Sequence, residues 1–239
     1  FFLLHFSSSS HSCLSFQFCL KHFTIMISEK EFLARLPRPV SHWLGYRENP
    51  PKPPHKYLVY LWSFIGAFCG LCVVQAIFNY SQYFIGRGVP GLIASYGASA
   101  VLVYGAMESP LAQPRALIFG HFLSALVGLC ITKLFSLMPS EEKFNSLRWL
   151  AASLSSAVAI VVMQITETTH PPAGATALLP ATNDAVWAMS WYYLPVVLLS
   201  STMILAVALI INNIQRRYPV FWISPAAPKP VLPPTSGGK

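Results

Sequence analysis

Charged residues are scarce in this chain, which excludes an ordinary soluble domain. Lys and Arg number 16 and Asp and Glu number 8 among 239 residues, so charged residues make up 10% of the sequence. Soluble domains contain about 25% charged residues. Hydrophobic residues make up 54% of this chain, and the mean hydropathy is +0.52. This composition is typical of an integral membrane protein.

Cysteine is also sparse, and the five cysteines form no pattern typical of disulfides. The one close pair, Cys69 and Cys72, lies in a long apolar run, where helix packing is the expected role. Glu167 and His170 have the Glu-x-x-His spacing of a di-iron bundle, but a metal centre needs three or more converging ligands. We therefore predict no metal ion and no cofactor.

Four long apolar runs indicate membrane-spanning helices. They cover residues 57–80, 116–134, 147–166 and 192–211. A helix needs about 20 mainly apolar residues to cross a hydrocarbon core about 30 Å thick. Each run reaches that length, so the sequence predicts an all-α membrane protein with four full transmembrane helices.

Two further apolar segments, residues 90–107 and 170–181, are shorter or broken. Pro171 and Pro172 remove backbone donors, so a helix that arrives from the N-terminal side should stop near Thr169. Either proline also suits the first position of a new helix. We therefore expect two short half-helices. Irregular backbone at membrane depth is tolerated only inside protein or beside a water-filled cavity, which makes these segments functional candidates.

The two short segments share a local sequence that predicts an internal two-fold repeat. Residues 97–102 read Gly-Ala-Ser-Ala-Val-Leu, and residues 174–179 read Gly-Ala-Thr-Ala-Leu-Leu, 77 residues later. Each copy lies between two predicted spans. Broken helices in corresponding places of two repeats are typical of a transporter's binding site.

The basic residues predict that both termini are cytoplasmic, because Lys and Arg are concentrated before the first span and after the last. The number of crossings is then even. With four crossings, the short segments enter and return, the two repeat copies run parallel, and Lys133, Lys143 and Arg148 are cytoplasmic. With six crossings, the copies are inverted and these three residues lie outside. Charge counting favours four crossings with two re-entrant half-helices.

Composition divides the chain into four regions. Residues 1–25 combine aromatic residues with a serine tract, and we interpret them as a disordered, targeting or unrepresentative extension. Residues 26–56 form a basic cytoplasmic segment, residues 57–213 the transmembrane domain, and residues 214–239 a basic, proline-rich cytoplasmic tail. The basic segments indicate topology, and we predict no nucleic-acid partner.

Three motifs together resemble a known family. Residues 170–176 read His-Pro-Pro-Ala-Gly-Ala-Thr, residues 95–100 read Ser-Tyr-Gly-Ala-Ser-Ala, and residues 109–115 read Ser-Pro-Leu-Ala-Gln-Pro-Arg, with Gly-His at 120–121. Their order is similar to that of the HPP family of integral membrane proteins, over residues 61–213. The resemblance implies about four spans and a transporter, and some plastid and cyanobacterial members are assigned nitrite transport.

The residues of the two short segments are suited to a small anion. A helix start presents N–H groups and a partial positive charge. We expect the starts near Gly97 and Gly174 to face one site, with hydroxyl donors from Ser99 and Thr176. Arg115 would add a planar charged group that suits an oxyanion such as nitrite.

Three ionisable residues complete the predicted site. His121 and His170 can donate a hydrogen bond, relay a proton or, for His170, cap a helix. Glu167 is expected to pair with Arg115 and hold two spans together, or to take a proton. The predicted substrate pathway comprises His170, Pro171, Pro172, Gly174, Thr176, Gly97, Ser99, Arg115, His121 and Glu167.

These features predict a multi-pass transporter or channel for a small solute, most simply a small inorganic anion such as nitrite, with no catalytic residues. A structural or regulatory membrane protein is the alternative. It would explain small-residue faces such as Gly120, Ser124 and Gly128, which pack helices within the bundle or between copies in a homo-oligomer. A membrane-embedded enzyme is less favoured, because Glu167, His170 and His121 are too few for a catalytic set.

Overall fold

The computed structural model describes residues 29–49, 51–52 and 54–224, and every regular element in those residues is helical. The predicted extension 1–25 and the end of the tail after residue 224 lie outside them. The α-helices are α1 (Arg38–Trp43), α2 (Lys56–Tyr80), α3 (Gln82–Ile85), α4 (Ser95–Ala100), α5 (Pro114–Phe135), α6 (Glu141–Ile165), α7 (Pro171–Thr182), α8 (Asp184–Met189) and α9 (Tyr193–Ile211). A π-helical turn over Val101–Gly105 extends α4, and residues 29–35 are also helical.

Four helical segments are long and apolar enough to cross a membrane, which confirms the four predicted spans. They are Lys56–Tyr80, Pro114–Phe135, Glu141–Ile165 and Asp184–Ile211. The third begins before its predicted apolar run because its first turn is polar and capped. Ser140 accepts a hydrogen bond from the Lys143 N–H at 3.2 Å, and acidic residues follow the cap.

Glycine brings α5 into backbone contact with α7 and the loop before it. A Cβ added at Gly120 would lie 2.8 Å from the Thr168 carbonyl oxygen. A Cβ added at Gly128 would overlap the main chain of Ala177. These residues therefore set the distance between α5 and α7, as small residues do where helices pack in lipid.

Helix α7 runs back along α6 from its end towards its start. Gly174 lies beside Ser156, and the Ala181 carbonyl accepts a hydrogen bond from Arg148 Nε at 2.8 Å. Arg148 also pairs with Asp184 at 2.7 Å. We name the two ends of the bundle by their arginines. The Arg115 end holds the start of α5 and the end of α6, and the Arg148 end holds the start of α6.

Helix α4 and its π-helical turn run parallel to α9, towards the Arg115 end. The Tyr96 hydroxyl donates to the Val197 carbonyl at 2.6 Å, and the Tyr104 hydroxyl donates to the Ile204 carbonyl at 3.0 Å. Since α7 runs the other way, α4 and α7 are antiparallel. A short helix does begin at Pro171, but these contacts do not describe a return, and the predicted re-entry and internal repeat are not confirmed.

The segments outside the spans close the Arg115 end of the bundle. Asn213 Nδ2 donates to the Trp43 carbonyl at 3.1 Å, and the Tyr218 hydroxyl donates to the Ala112 carbonyl at 2.7 Å. Burial raises the pKa of the Tyr218 hydroxyl, so it remains a donor. The basic tail therefore packs onto the bundle at least as far as Tyr218.

Candidate functional site

His170 directly precedes α7 and lies fully inside the bundle. It is the N-cap residue, with Pro171 and Pro172 in the first turn, and its side chain is 0% exposed. Its Nδ1 lies 2.7 Å from the Leu111 carbonyl oxygen. Because a carbonyl can only accept a hydrogen bond, Nδ1 carries the hydrogen, and Nε2 of the neutral ring is a bare acceptor.

His121, on the second turn of α5, lies next to His170 and is also 0% exposed. Its Nε2 is 2.7 Å from Ser99 Oγ, and its Nδ1 is 2.7 Å from Thr176 Oγ1. Ser99 Oγ is also 2.9 Å from His170 Nε2, and Thr176 Oγ1 donates to Ser95 Oγ at 2.8 Å. We call these five side chains the buried polar cluster. Four of them belong to the predicted pathway.

The two predicted repeat copies bind opposite sides of one imidazole. Ser99 and Thr176 stand at the same position of the two Gly-Ala-[Ser/Thr]-Ala sequences. Ser99 contacts Nε2 of His121, and Thr176 contacts Nδ1 of the same ring. Both short helices therefore meet at His121, which belongs to a full span.

Aromatic side chains enclose the cluster. The Tyr96 ring stacks on His121 with 4.5 Å between ring centroids, and the Tyr193 hydroxyl of α9 donates to the Thr176 carbonyl at 3.1 Å. The sequence reasoning did not select Ser95, Tyr96, Leu111 or Tyr193 as site residues. Ser95 and Tyr96 stand in a motif that it did recognise, whereas nothing local marks Tyr193.

Gly97 and Gly174 lie outside the cluster, and the N–H groups near them are absent or already bonded. Pro171 and Pro172 have no N–H, and the Ala173 N–H donates to the His170 carbonyl at 2.8 Å. At the other start, the Gly97 N–H donates to the Ala94 carbonyl at 3.1 Å. Hydroxyl and imidazole groups, rather than helix starts, are therefore the polar groups that converge here.

Arg115 and Glu167 lie at a separate cavity at the Arg115 end, with a volume of about 430 Å³. Arg115 Nη2 donates to the Thr166 carbonyl at 2.7 Å, and Arg115 Nη1 is 3.8 Å from Glu167 Oε2, so the expected ion pair is present. Leu111 and Thr169 also line this cavity. Because Leu111 binds His170, the cavity and the buried polar cluster share a wall.

No group of three or more His, Cys, Asp and Glu side chains that could hold a metal ion occurs in the part of the chain that the structure describes. Cys69, Cys72 and Cys130 are free thiols. The hydroxyl and imidazole groups of the cluster can form hydrogen bonds and transfer protons.

Comparisons with known proteins agree with this architecture. The family model described as HPP, transmembrane region, matches residues 52–219. One transmembrane protein of Dictyostelium discoideum is 36% identical over 210 residues, which cover 86% of this chain and 66% of that protein. A second transmembrane protein from the same organism is 37% identical over 184 residues, which cover 75% of this chain and 56% of that protein. This chain thus spans less than two thirds of the length of these relatives. No solved structure shows a significant match. The chain belongs to the HPP family of transmembrane proteins.

Proposed function

We propose that the protein is a transporter or channel for a small inorganic anion, with nitrite as the first solute to test. The buried polar cluster carries this proposal. Ionisable side chains at membrane depth are costly and are functional by default, and His121 and His170 are both fully buried in a bundle of spanning helices. The alternative, a structural or regulatory role, would use the two imidazoles to hold α4, α5 and α7 together through hydrogen bonds.

The Arg115 cavity provides the mouth of the proposed pathway. The Arg115 side chain is 29% exposed, so its guanidinium can meet a solute while it keeps its main-chain bonds. Leu111 and Thr169 form the inner wall, and His170 follows Thr169 directly. An anion that moves inwards from Arg115 would therefore reach His170 first. The guanidinium charge of Arg115 in the cavity wall supports a small oxyanion over an apolar solute.

We also infer that α4 and α7 each complete a crossing, which gives six crossings and an inverted repeat. Their antiparallel directions and the opposite contacts of Ser99 and Thr176 with His121 support this inference. The described segments before α2 and after α9 then lie on the side of the Arg115 end. The basic residues near that end support a cytoplasmic position for it.

Nitrite uptake into proteoliposomes tests the function and the role of Arg115. Wild-type protein should give saturable uptake above that of protein-free liposomes, and Arg115→Gln should reduce the initial rate about tenfold or more, because a charge-assisted contact contributes about 1.5–3 kcal/mol. Trapped nitrite is measured colorimetrically after removal of the external anion.

Arg148→Gln is the matched control, because Arg148 has the same kinds of partner at the other end of the bundle. It pairs with Asp184 and donates to the Ala181 carbonyl, and its side chain is 22% exposed. Its uptake should stay within a factor of two to three of wild type, the usual scale of a surface ion pair. An equal loss of nitrite uptake in Arg115→Gln and Arg148→Gln would exclude Arg115 as the mouth of the pathway. No uptake of nitrite or nitrate by wild type would favour the structural role.

A further inference from the structure

The buried polar cluster has fewer hydrogen atoms to donate than it has hydrogen-bond contacts. Thr176 Oγ1 donates to Ser95 Oγ, so His121 Nδ1 must donate to Thr176, and Nε2 of a neutral His121 is bare. The Leu111 carbonyl likewise requires the hydrogen on His170 Nδ1, so its Nε2 is bare as well. Two bare Nε2 atoms thus face one hydroxyl.

Ser99 cannot satisfy both rings with its single hydrogen. Its Oγ lies 2.7 Å from His121 Nε2 and 2.9 Å from His170 Nε2, and it is also 3.3 Å from the Ser95 carbonyl oxygen. Whichever ring receives the Ser99 hydrogen, the other Nε2 lone pair faces an oxygen lone pair. A single added proton removes this conflict, because the protonated ring donates to Ser99 and Ser99 donates to the other ring.

We propose that His121 and His170 form one shared proton-binding site, bridged by Ser99, and that it couples anion transport to a proton. The step transfers a proton from hydronium, or from the protonated form of the anion, in the Arg115 cavity to one Nε2 lone pair. The O–H bond of the donor breaks and leaves its electron pair on oxygen, as water or as the free anion, while an N–H bond forms on the ring. The coupling rests on the proposed function, whereas the shared site itself does not.

Burial makes this site suitable for coupling. A lone charged imidazole among apolar helices is strongly disfavoured, and so is a lone anion in the same place. Each lowers the cost of the other when the two are adjacent. An anion that has passed Arg115 and a proton shared by His121 and His170 therefore favour each other's binding, which is the requirement for symport.

The groups that contact the two rings carry no fixed charge that would oppose this proton. Around the rings lie Ser99 and the Tyr96 ring from α4, Thr176 from α7, the Leu111 carbonyl, and Tyr193 of α9 through the Thr176 carbonyl. From α6, Met163 lies beside Gly120. Arg115 and Glu167 line the cavity on the other side of Leu111.

Nitrogen-15 NMR of selectively histidine-labelled protein in lipid nanodiscs tests the shared site without any transport. As the pH falls, the Nε2 signals of His121 and His170 should change together in one step, while His170 Nδ1 stays protonated throughout. In Ser99→Ala, the Nε2 signals of the two histidines should change at different pH values. In Ser155→Ala, they should still change together in one step. Ser155 is a matched control, because its hydroxyl is equally buried and has no hydrogen-bond partner. Independent responses in wild type, or no change in either ring, would overturn the site.

Proteoliposomes with an inward proton gradient test the coupling. With a one-unit gradient, wild type and Ser155→Ala should accumulate nitrite about tenfold, the limit for one proton per anion. Ser99→Ala should lose this accumulation, and a pH-sensitive dye trapped inside its liposomes should report less proton influx than in wild type. Protein-free liposomes measure how much nitrous acid crosses the bilayer without the protein. Accumulation that survives Ser99→Ala, or uptake without proton influx, would refute the coupling. If wild type transports nothing, the proposed function fails, and the NMR result alone decides the shared site.

Discussion

Replacing Gly128 with alanine is expected to lower the melting temperature of the detergent-solubilised protein by roughly 2–12 °C. A Cβ at this position overlaps the main chain of Ala177, so α5 and α7 must separate rather than reorient one side chain. Overpacking of this kind costs about 1–3 kcal/mol, and each kcal/mol corresponds to about 2–4 °C in a chain of this size. Gly128→Leu should leave no monodisperse protein after solubilisation.

Gly97→Ala is the control for the Gly128 substitution. No atom lies within 4 Å of a Cβ added at Gly97, and the residue is in helix α4, where alanine is preferred to glycine. Its melting temperature should equal or exceed that of wild type. The two variants can be compared by size-exclusion chromatography after heating. Equal stability of Gly128→Ala and Gly97→Ala would show that α5 and α7 do not touch at this point.

The spans could be predicted because crossing a membrane requires long apolar runs, and such runs are visible in one sequence. The start of α6 could not be predicted from apolar runs, because its first turn is polar and depends on the cap at Ser140. The same reasoning identified Ser99, His121, His170 and Thr176 as polar groups at membrane depth. Their partners depend on packing between segments far apart in the chain, which no local pattern contains.

The expected anion site at the helix starts illustrates a different limit. The argument from the helix dipole treats each start as a row of free N–H groups. Pro171 and Pro172 have none, and this could have been read from the sequence. Whether the N–H of Gly97 is free depended on a local turn, in which it donates to Ala94. Hydrogen-bond satisfaction within the chain thus decides which polar groups are available for a solute.

Charge counting favoured four crossings because that topology places Lys133, Lys143 and Arg148 on the cytoplasmic side. Helix α7 has only 12 residues, but together with the loop before it the chain passes from the Arg115 end to Arg148 and Asp184. A broken segment can cover this distance because the surrounding helices, not lipid, bury its irregular backbone. Its direction is a property of the packed bundle and is not visible in its sequence.

Cysteine labelling in sealed, oriented vesicles is expected to place Glu108→Cys and Pro139→Cys on opposite sides of the membrane, with Glu108→Cys on the same side as the reference Lys52→Cys. Each cysteine is introduced singly into a chain without its native cysteines and treated with a membrane-impermeant maleimide. Positions 52, 108 and 139 are all exposed, so reagent access reports the side of the membrane alone.

Six crossings and four crossings with re-entrant segments predict opposite results for both reporters. If α4 and α7 return to the side from which they came, residue 108 lies on the opposite side of the membrane from residue 52, and residue 139 lies on the same side as residue 52. If each helix crosses, residue 108 shares the side of residue 52, and residue 139 is opposite. Labelling is close to all-or-none in each case, because a charged reagent does not cross the hydrocarbon core. The inverted pair, in which Ser99 and Thr176 approach His121 from opposite sides, requires the second result.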